Sequence, residues 1–458
     1  MEPSAVPDWL RRATIGGLFI AHIQFAALLI GIIGLGVFYE IVGMFGSSRS
    51  KFDRTARGLA LTGVVGYSTG AVLAIITVFI LNVLWPTFWY VIVRITFWPF
   101  FLEALTFALT ILYIFPWYYT WGLLGRFKLV HVSIGVATFV VVMLQQSMID
   151  VAAAYMLTPA TPANLLRVFF SATTIPLDMH RIVGDISFAG FVVAGYAAVK
   201  TLRARDDEQR AFFDWVGNAA LIAGLGFLFL QPAIGVEYVM EIRQHSPGVF
   251  YTMMAGRLSS VFLLQVTFLS SLFLLSMLYI ILQTKKSRRA GVRFMWGLLV
   301  IAGLAALLLV QPFVIGPSQV NYWVNWTNPI GSMQPFKYIA LAVLTLSSIG
   351  IIFGYTGPLS RGLRWGYMGD GGRSAQRVLL ALAILASLMM ILMGVIRENS
   401  RQPYLIYPEF RRTLEEQFPP LPPPSPTPGD ISSHPPTSGL ALNAEGSYRE
   451  SESTRSIG

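Results

Sequence analysis

Residues 13–45 read ATIGGLFIAHIQFAALLIGIIGLGVFYEIVGMF. A helix of that length exceeds the roughly 30 Å of a bilayer's hydrocarbon core, so the stretch reads as a membrane span. Two ionisable side chains interrupt it, His22 and Glu40. A rise of 1.5 Å per residue sets them about 27 Å apart, near opposite membrane faces. Ionisable groups at membrane depth are costly and mark functional positions. A histidine one to two turns below a membrane face suits an axial ligand to haem iron. It equally suits a hydrogen bond inside a helix bundle, and His22 alone does not decide between the two.

Working outward, the composition settles the class. The 458 residues are 55% hydrophobic and 12% charged, the balance of an all-α polytopic membrane protein and not of a soluble domain. Cysteine is absent, which excludes disulfides, iron–sulfur clusters, thiolate metal sites and covalent c-type haem attachment within this chain. The opening MEPSAVPDWLRRATIGG does not read as a signal peptide, because no cleavage site follows an apolar run that is too long for one.

About ten transmembrane helices are expected from apolar run length, near 13–45, 58–85, 90–119, 129–157, 180–200, 211–236, 251–283, 291–316, 334–357 and 375–397. The loops after the odd-numbered helices carry 19 Lys and Arg against 6 in the alternate loops. The positive-inside rule then places the odd loops in the cytoplasm and both termini outside. The net charge of +10 follows mostly from this bias, and does not indicate nucleic-acid binding. The segments WPTFWY (85–90) and NYWVNWTNP (321–329) read as interfacial aromatic belts. Three regions follow: an outer N-terminal segment, 1–12; a transmembrane bundle, 13–404; and a Pro/Ser-rich tail, 405–458, expected to be largely disordered. His434 lies in that tail and is not expected to be a ligand.

On this topology His22 and His180 both fall on the outer side, as does His245 in the loop after the sixth helix. His131 opens the fourth helix on the cytoplasmic side and reads as an interfacial histidine beside Lys128. Glu103 lies in the outer-to-middle membrane, Glu237 and Glu241 end the sixth helix, and Glu398 closes the tenth. A carboxylate buried in lipid is a proton carrier, a metal ligand or half of an ion pair. For Glu398 the neighbouring Arg397 and Arg401 make the ion pair an open alternative.

These spaced residues together resemble subunit I of the cytochrome bd-type quinol oxidases. His22 and Glu40 match the family's first helix, GYSTG (66–70) its second, and FFLEALTF (100–107) its third. YMLTP (155–159) resembles the end of its fourth helix, and MHRIVGDISF (179–188) falls on its fifth. RENSRQPY (397–404) is similar to its E-x-x-R-Q-P-W signature. The resemblance implies haem b, with haem d an open alternative, in a cell-membrane oxidase. It implies His180 as ligand of a low-spin haem, and His22 and Glu398 as ligands of a high-spin pair. Glu103 and Glu40 would carry protons from the cytoplasm, and Arg401 and Arg257 would pair with haem propionates. Oxygen would be the electron acceptor, and a second polytopic subunit the partner.

The departures bear on the donor. The family's earlier acidic position on helix 3 is Ile95 here, and a glutamate after the helix-2 glycines is Ala74. Its axial methionine falls on Ser259 if Arg257 is the preceding basic residue, with Met253 and Met254 nearby. It falls on Ile339 if Lys337 is, with Met333 nearby. The segment EIRQHSPGVFYTMM (241–254) replaces a longer quinol-binding loop and lacks its lysine, leaving Glu237 and Gln244 as the donor region. The signature comes on the tenth helix, two later than usual. The donor is therefore quinol or an outer-side protein. Two further classes stay open: a b-haem electron-transfer subunit without oxygen chemistry, and a proton-coupled transporter.

Overall fold

The computed structural model describes residues 6–45, 48–160, 164–254, 256–284, 293–311, 335–355, 363–369, 371–408 and 410–411. Among them are α1 (Asp8–Phe45), α2 (Arg49–Leu84), α3 (Pro86–Ile95), α4 (Phe97–Tyr119), α5 (Lys128–Tyr155), α6 (Leu165–Phe169) and α7 (Thr174–Arg203). There follow α8 (Asp207–Leu228), α9 (Gln231–His245), α10 (Pro247–Met254), α11 (Ser259–Thr284), α12 (Arg293–Val310), α13 (Pro335–Gly354) and α14 (Gly372–Ser400). Among the described residues ten segments are long and apolar enough to span a membrane, as expected. Helices dominate because lipid offers backbone amides no partner, so each segment must satisfy its own.

The centre of the bundle is α7, which packs against α8, α14 and α1 and touches α5 and α9. Around it stand the pairs α1–α2, α4–α5, α11–α14 and α12–α13. Gly31 is where α1 meets α7. A Cβ there would stand 2.1 Å from the carbonyl oxygen of Asp185, so only glycine allows this approach.

Several expected boundaries shift, and proline chemistry explains two of them. The expected helix 90–119 is two helices broken at Thr96. Pro99 has no N–H for the Ile95 carbonyl, and the Thr96 hydroxyl donates to the Ile92 carbonyl at 2.6 Å. The expected helix 211–236 breaks before α9, because Pro232 has no N–H for the Leu228 carbonyl. The stretch 241–254, read as a loop, is helical. It forms the end of α9 and all of α10, turned at Ser246, whose hydroxyl donates to the Leu157 carbonyl at 2.6 Å. His245 accordingly ends α9, where Glu241 lies 3.3 Å from it. The first helix begins at Asp8, within the segment assigned to an outer N-terminal arm, and Arg11 is buried against the Leu84 carbonyl.

Beyond α14 the chain does not leave the fold at 404. Tyr404–Ile406 (β1) pairs antiparallel with Phe410–Arg411 (β2). Ile406 is buried among Trp85, Phe88, Val151 and Tyr155, and the Tyr407 amide donates to the Met156 carbonyl at 3.0 Å. The 321–329 belt, Met333 and the tail with His434 lie outside the described residues.

Candidate functional site

The two ends of the bundle differ: α1 finishes and α5 begins at the end with basic loops, and α7 begins and α14 finishes at the other. Polar side chains gather at three levels between these ends.

At the basic end, Glu40 is fully buried on α1. Its Oε1 takes the Lys128 ammonium at 2.7 Å and the His131 Nδ1, and its Oε2 accepts from the Trp117 indole at 2.9 Å. Lys128 continues to Asp53 at 2.6 Å. Asp53 lines a cleft of about 550 Å³ with Arg54, Arg57, Tyr118 and Trp121. His131 is thus enclosed by protein in the first turn of α5. It is 1% exposed, and its Nε2 lies 2.8 Å from the Trp117 carbonyl. A buried carboxylate forces this arrangement, since it is tolerated only when paired and hydrogen-bonded.

At mid-depth, Glu103 on α4 accepts from the Gln145 amide at 3.1 Å. The Tyr67 hydroxyl lies 2.9 Å from Gln145 Oε1, and Thr110 adds a long contact at 3.5 Å. Glu40 and Glu103 are not brought together. His131 and Gln145 stand 14 residues apart on α5, about 21 Å, and the buried Ile33 and Ile114 occupy the core there.

The third level lies at the opposite end. Asp150 on α5 is fully buried and pairs with Arg181 on α7. Asp178 accepts from the Ser147 hydroxyl at 2.9 Å. His180 presents its ring to Tyr238 of α9, centroids 6.0 Å apart. Its Nδ1 is buried without a hydrogen-bond partner. Opposite stands Gly235, where a Cβ would lie 3.5 Å from the imidazole Cε1. His22 on α1 is half-buried toward Arg181, and among the described residues nothing hydrogen-bonds its ring. Gln24, half a turn on, donates to the Ser387 carbonyl at 3.1 Å and ties α1 to α14.

Glu398 at the end of α14 pairs with Arg401 and lies 3.8 Å from Arg397, so the local ion pair read as an alternative does form. Arg401 also donates to the Leu405 carbonyl at 2.9 Å, and Arg257 donates to the Asn399 carbonyl. Both guanidiniums anchor the chain around Glu398 and keep further N–H groups for an anionic ligand. Glu237 and Gln244 are exposed on α9, two turns apart, with Glu241 between them on the same face. Met253 and Met254 are buried beside Tyr238, Ser259 is buried, and Ile339 is exposed, so neither expected position supplies a thioether.

The residues at this third level fit a haem. An imidazole nitrogen without a hydrogen-bond partner is free to take an iron, and guanidiniums suit propionates. Sequence reasoning missed Asp150, Asp178, Arg181 and Asp185. Their signal is present: Asp178, Arg181 and Asp185 recur on one face of a spanning helix, and QQSMID (145–150) is too polar for a lipid-facing stretch.

Comparison with known proteins bears on this. The family model "Cytochrome bd terminal oxidase subunit I" matches residues 10–418. The fold resembles that of the bd oxidase from Geobacillus thermodenitrificans, with TM-score 0.50 and 15% identity over 86% of this chain and 96% of that one. No curated relative matches the chain.

Proposed function

Because the chain belongs to the cytochrome bd terminal oxidase subunit I family, we propose that it is the haem-bearing subunit of a cell-membrane oxidase that reduces oxygen to water. The observation that carries this is the partnerless, buried Nδ1 of His180 facing Gly235, at the end of the bundle that also holds His22 and Glu398. His180 would hold the low-spin haem; His22 and Glu398 would hold a high-spin pair, of haem b alone or with haem d. Bound haem would supply the redox couple and the iron that takes oxygen. The rest of the work falls to side chains. Arg401 and Arg257 would fix propionates while holding the end of α14. Both termini would face outside, with the basic end in the cytoplasm.

Protons would enter at the cleft beside Asp53 and pass by Lys128 to Glu40 and His131. Water would carry them over the apolar interval to Glu103. Drawing protons from inside while oxidising a donor outside builds a membrane potential without pumping. The test is a dithionite-reduced-minus-oxidised spectrum of the purified protein, then carbon monoxide. Haem bands with a carbon-monoxide shift are expected. No Soret band would leave a transporter, and haem without the shift would leave an electron-transfer subunit.

The donor is quinol by family, entering near Glu237 and Gln244 with a second polytopic subunit alongside. A second donor class has support of its own: Glu237, exposed, and Glu241, half-buried beside His245, share one face of α9. An outer-side basic redox protein would dock there. Oxygen consumption with a short-chain quinol and with a reduced soluble cytochrome separates the two. Quinol turnover abolished by Gln244→Ala assigns a quinol site. Turnover with the cytochrome alone, weakening as salt rises, assigns protein docking, because such attraction is screened over about 10 Å at 0.1 M salt.

A further inference from the structure

A knot of unsatisfied polar atoms lies between α5, α7, α9 and α14. Asp150 Oδ2, Asp185 Oδ2, both polar atoms of Gln146, the Tyr238 hydroxyl and Arg397 Nε are all buried without a well-formed hydrogen bond, although Gln146 stands beside both carboxylates and Arg397 beside Tyr238. Asp150 is fully buried, Asp185 is 1% exposed and Gln146 4%. Gln146 faces both carboxylates. Leaving so many buried groups unpaired would be costly, so something small and polar satisfies them. A haem propionate cannot, because it only accepts, and the two free carboxylate oxygens need donors. Water donates and accepts, and buried water characteristically bridges several such groups.

The charge count points the same way. Asp150 and Asp185 are faced on α7 by Asp178 and Arg181, on α14 by Arg397, on α9 by Tyr238, on α5 by Gln146, and on α1 by His22 through Arg181. Three carboxylates against two guanidiniums leave one negative charge in a low-dielectric interior, and one bound proton removes it. The knot follows the mid-depth chain along α5: Gln145, bound to Glu103, precedes Gln146 in sequence, and Asp150 lies about 7.5 Å beyond Gln145 along the helix axis.

We propose that Asp150 and Asp185, bridged by water, form a proton-holding pair that relays protons from Glu103 to the oxygen-reducing centre. The pair rests on the oxidase function proposed above. One carboxylate takes a proton from the Glu103 side and becomes a carboxylic acid. It returns to carboxylate when that proton moves on to reduced oxygen, so the pair is unchanged over the cycle and needs no other reactant. Gln146 orients the water, and Arg181 keeps Asp150 ionised when the proton sits on Asp185.

The test is redox-induced infrared difference spectroscopy of the purified holo-complex, with proton uptake on reduction followed by a pH dye. The wild-type protein is expected to show a deuterium-sensitive carboxylic-acid C=O band. Asp185→Asn should remove that band, lower proton uptake and slow oxygen consumption by about a hundredfold, with the haem spectrum and carbon-monoxide binding retained. Asp185→Glu should restore part of each. An unchanged band and unchanged uptake in haem-replete Asp185→Asn would overturn the relay while leaving the oxidase function standing. A wild-type protein without haem would overturn both. If Asp185→Asn does not assemble, Gln146→Leu carries the test without a change of charge, and unchanged uptake there rejects the relay.

Discussion

His180→Ala is expected to abolish the sharp reduced band of the low-spin haem and bring donor-linked turnover to background, while the protein stays folded in the membrane. Removing this ring takes away little that holds the fold. Its Nδ1 has no partner, its ring meets Tyr238 only at 6.0 Å, and the one bond tying the residue to α9 uses backbone. That bond runs from the Gln231 amide to the His180 carbonyl at 2.7 Å, and alanine keeps it. Alanine is also the best helix former, so α7 is preserved. The carbon-monoxide-reactive signal should persist, because its proposed ligands stand on α1 and α14. Difference spectra of the variant at matched protein concentration check this. A low-spin band of unchanged intensity would return His180 to an ordinary core histidine.

Helix number and approximate position were legible because a lipid-spanning helix must be apolar over its whole length, and no partner is needed to see that. Helix ends were less legible. In α2 the helix runs back to Arg49 through the charged residues that apolar counting discards, and Thr55 and Ala56 are buried there. The hairpin after α14 has too few residues to show a period, and Ile406 gives no hint of the Trp85 pocket it fills.

The site was legible one residue at a time and not as a set. His22, Glu40, Glu103, His180 and Glu398 stand out because each is ionisable in an apolar run, and their roles came from resemblance. Their partnerships did not stand out. Glu40 and His131 are 91 positions apart, so reading His131 beside Lys128 caught its neighbour in sequence and missed the carboxylate that holds it. Asp150 and Arg181 are 31 apart on different helices. Periodicity reports which face a residue shares, but not which helix that face meets. The charged group of Asp150 and Arg181 is therefore a product of α5 packing on α7.

That packing underlies the second large effect. Arg181→Ala should destabilise the protein by about 3–5 kcal/mol, the usual cost of removing one partner from a buried ion pair. The cost arises because Asp150 is fully enclosed on α5 and Arg181 is its direct counter-charge. Bulk solvent cannot reach it and a single bridging water carries no counter-charge, so α5 must distort or unpack from α7 to relieve it. Replacing both partners, as in Asp150→Leu with Arg181→Leu, should recover most of the loss, because an apolar pair of similar volume leaves no stranded charge. The measurement is thermal or denaturant unfolding in detergent for Arg181→Ala, and for Asp150→Leu, Arg181→Leu and their double, the last three read with wild type as a double-mutant cycle. If Arg181→Ala stays within about 0.5 kcal/mol of wild type, as ordinary surface changes do, Asp150 is not held by this pair. The double variant then divides stability from chemistry. It should fold and bind haem, yet without Asp150 it should show the same loss of proton uptake as Asp185→Asn, since a packed leucine holds no proton.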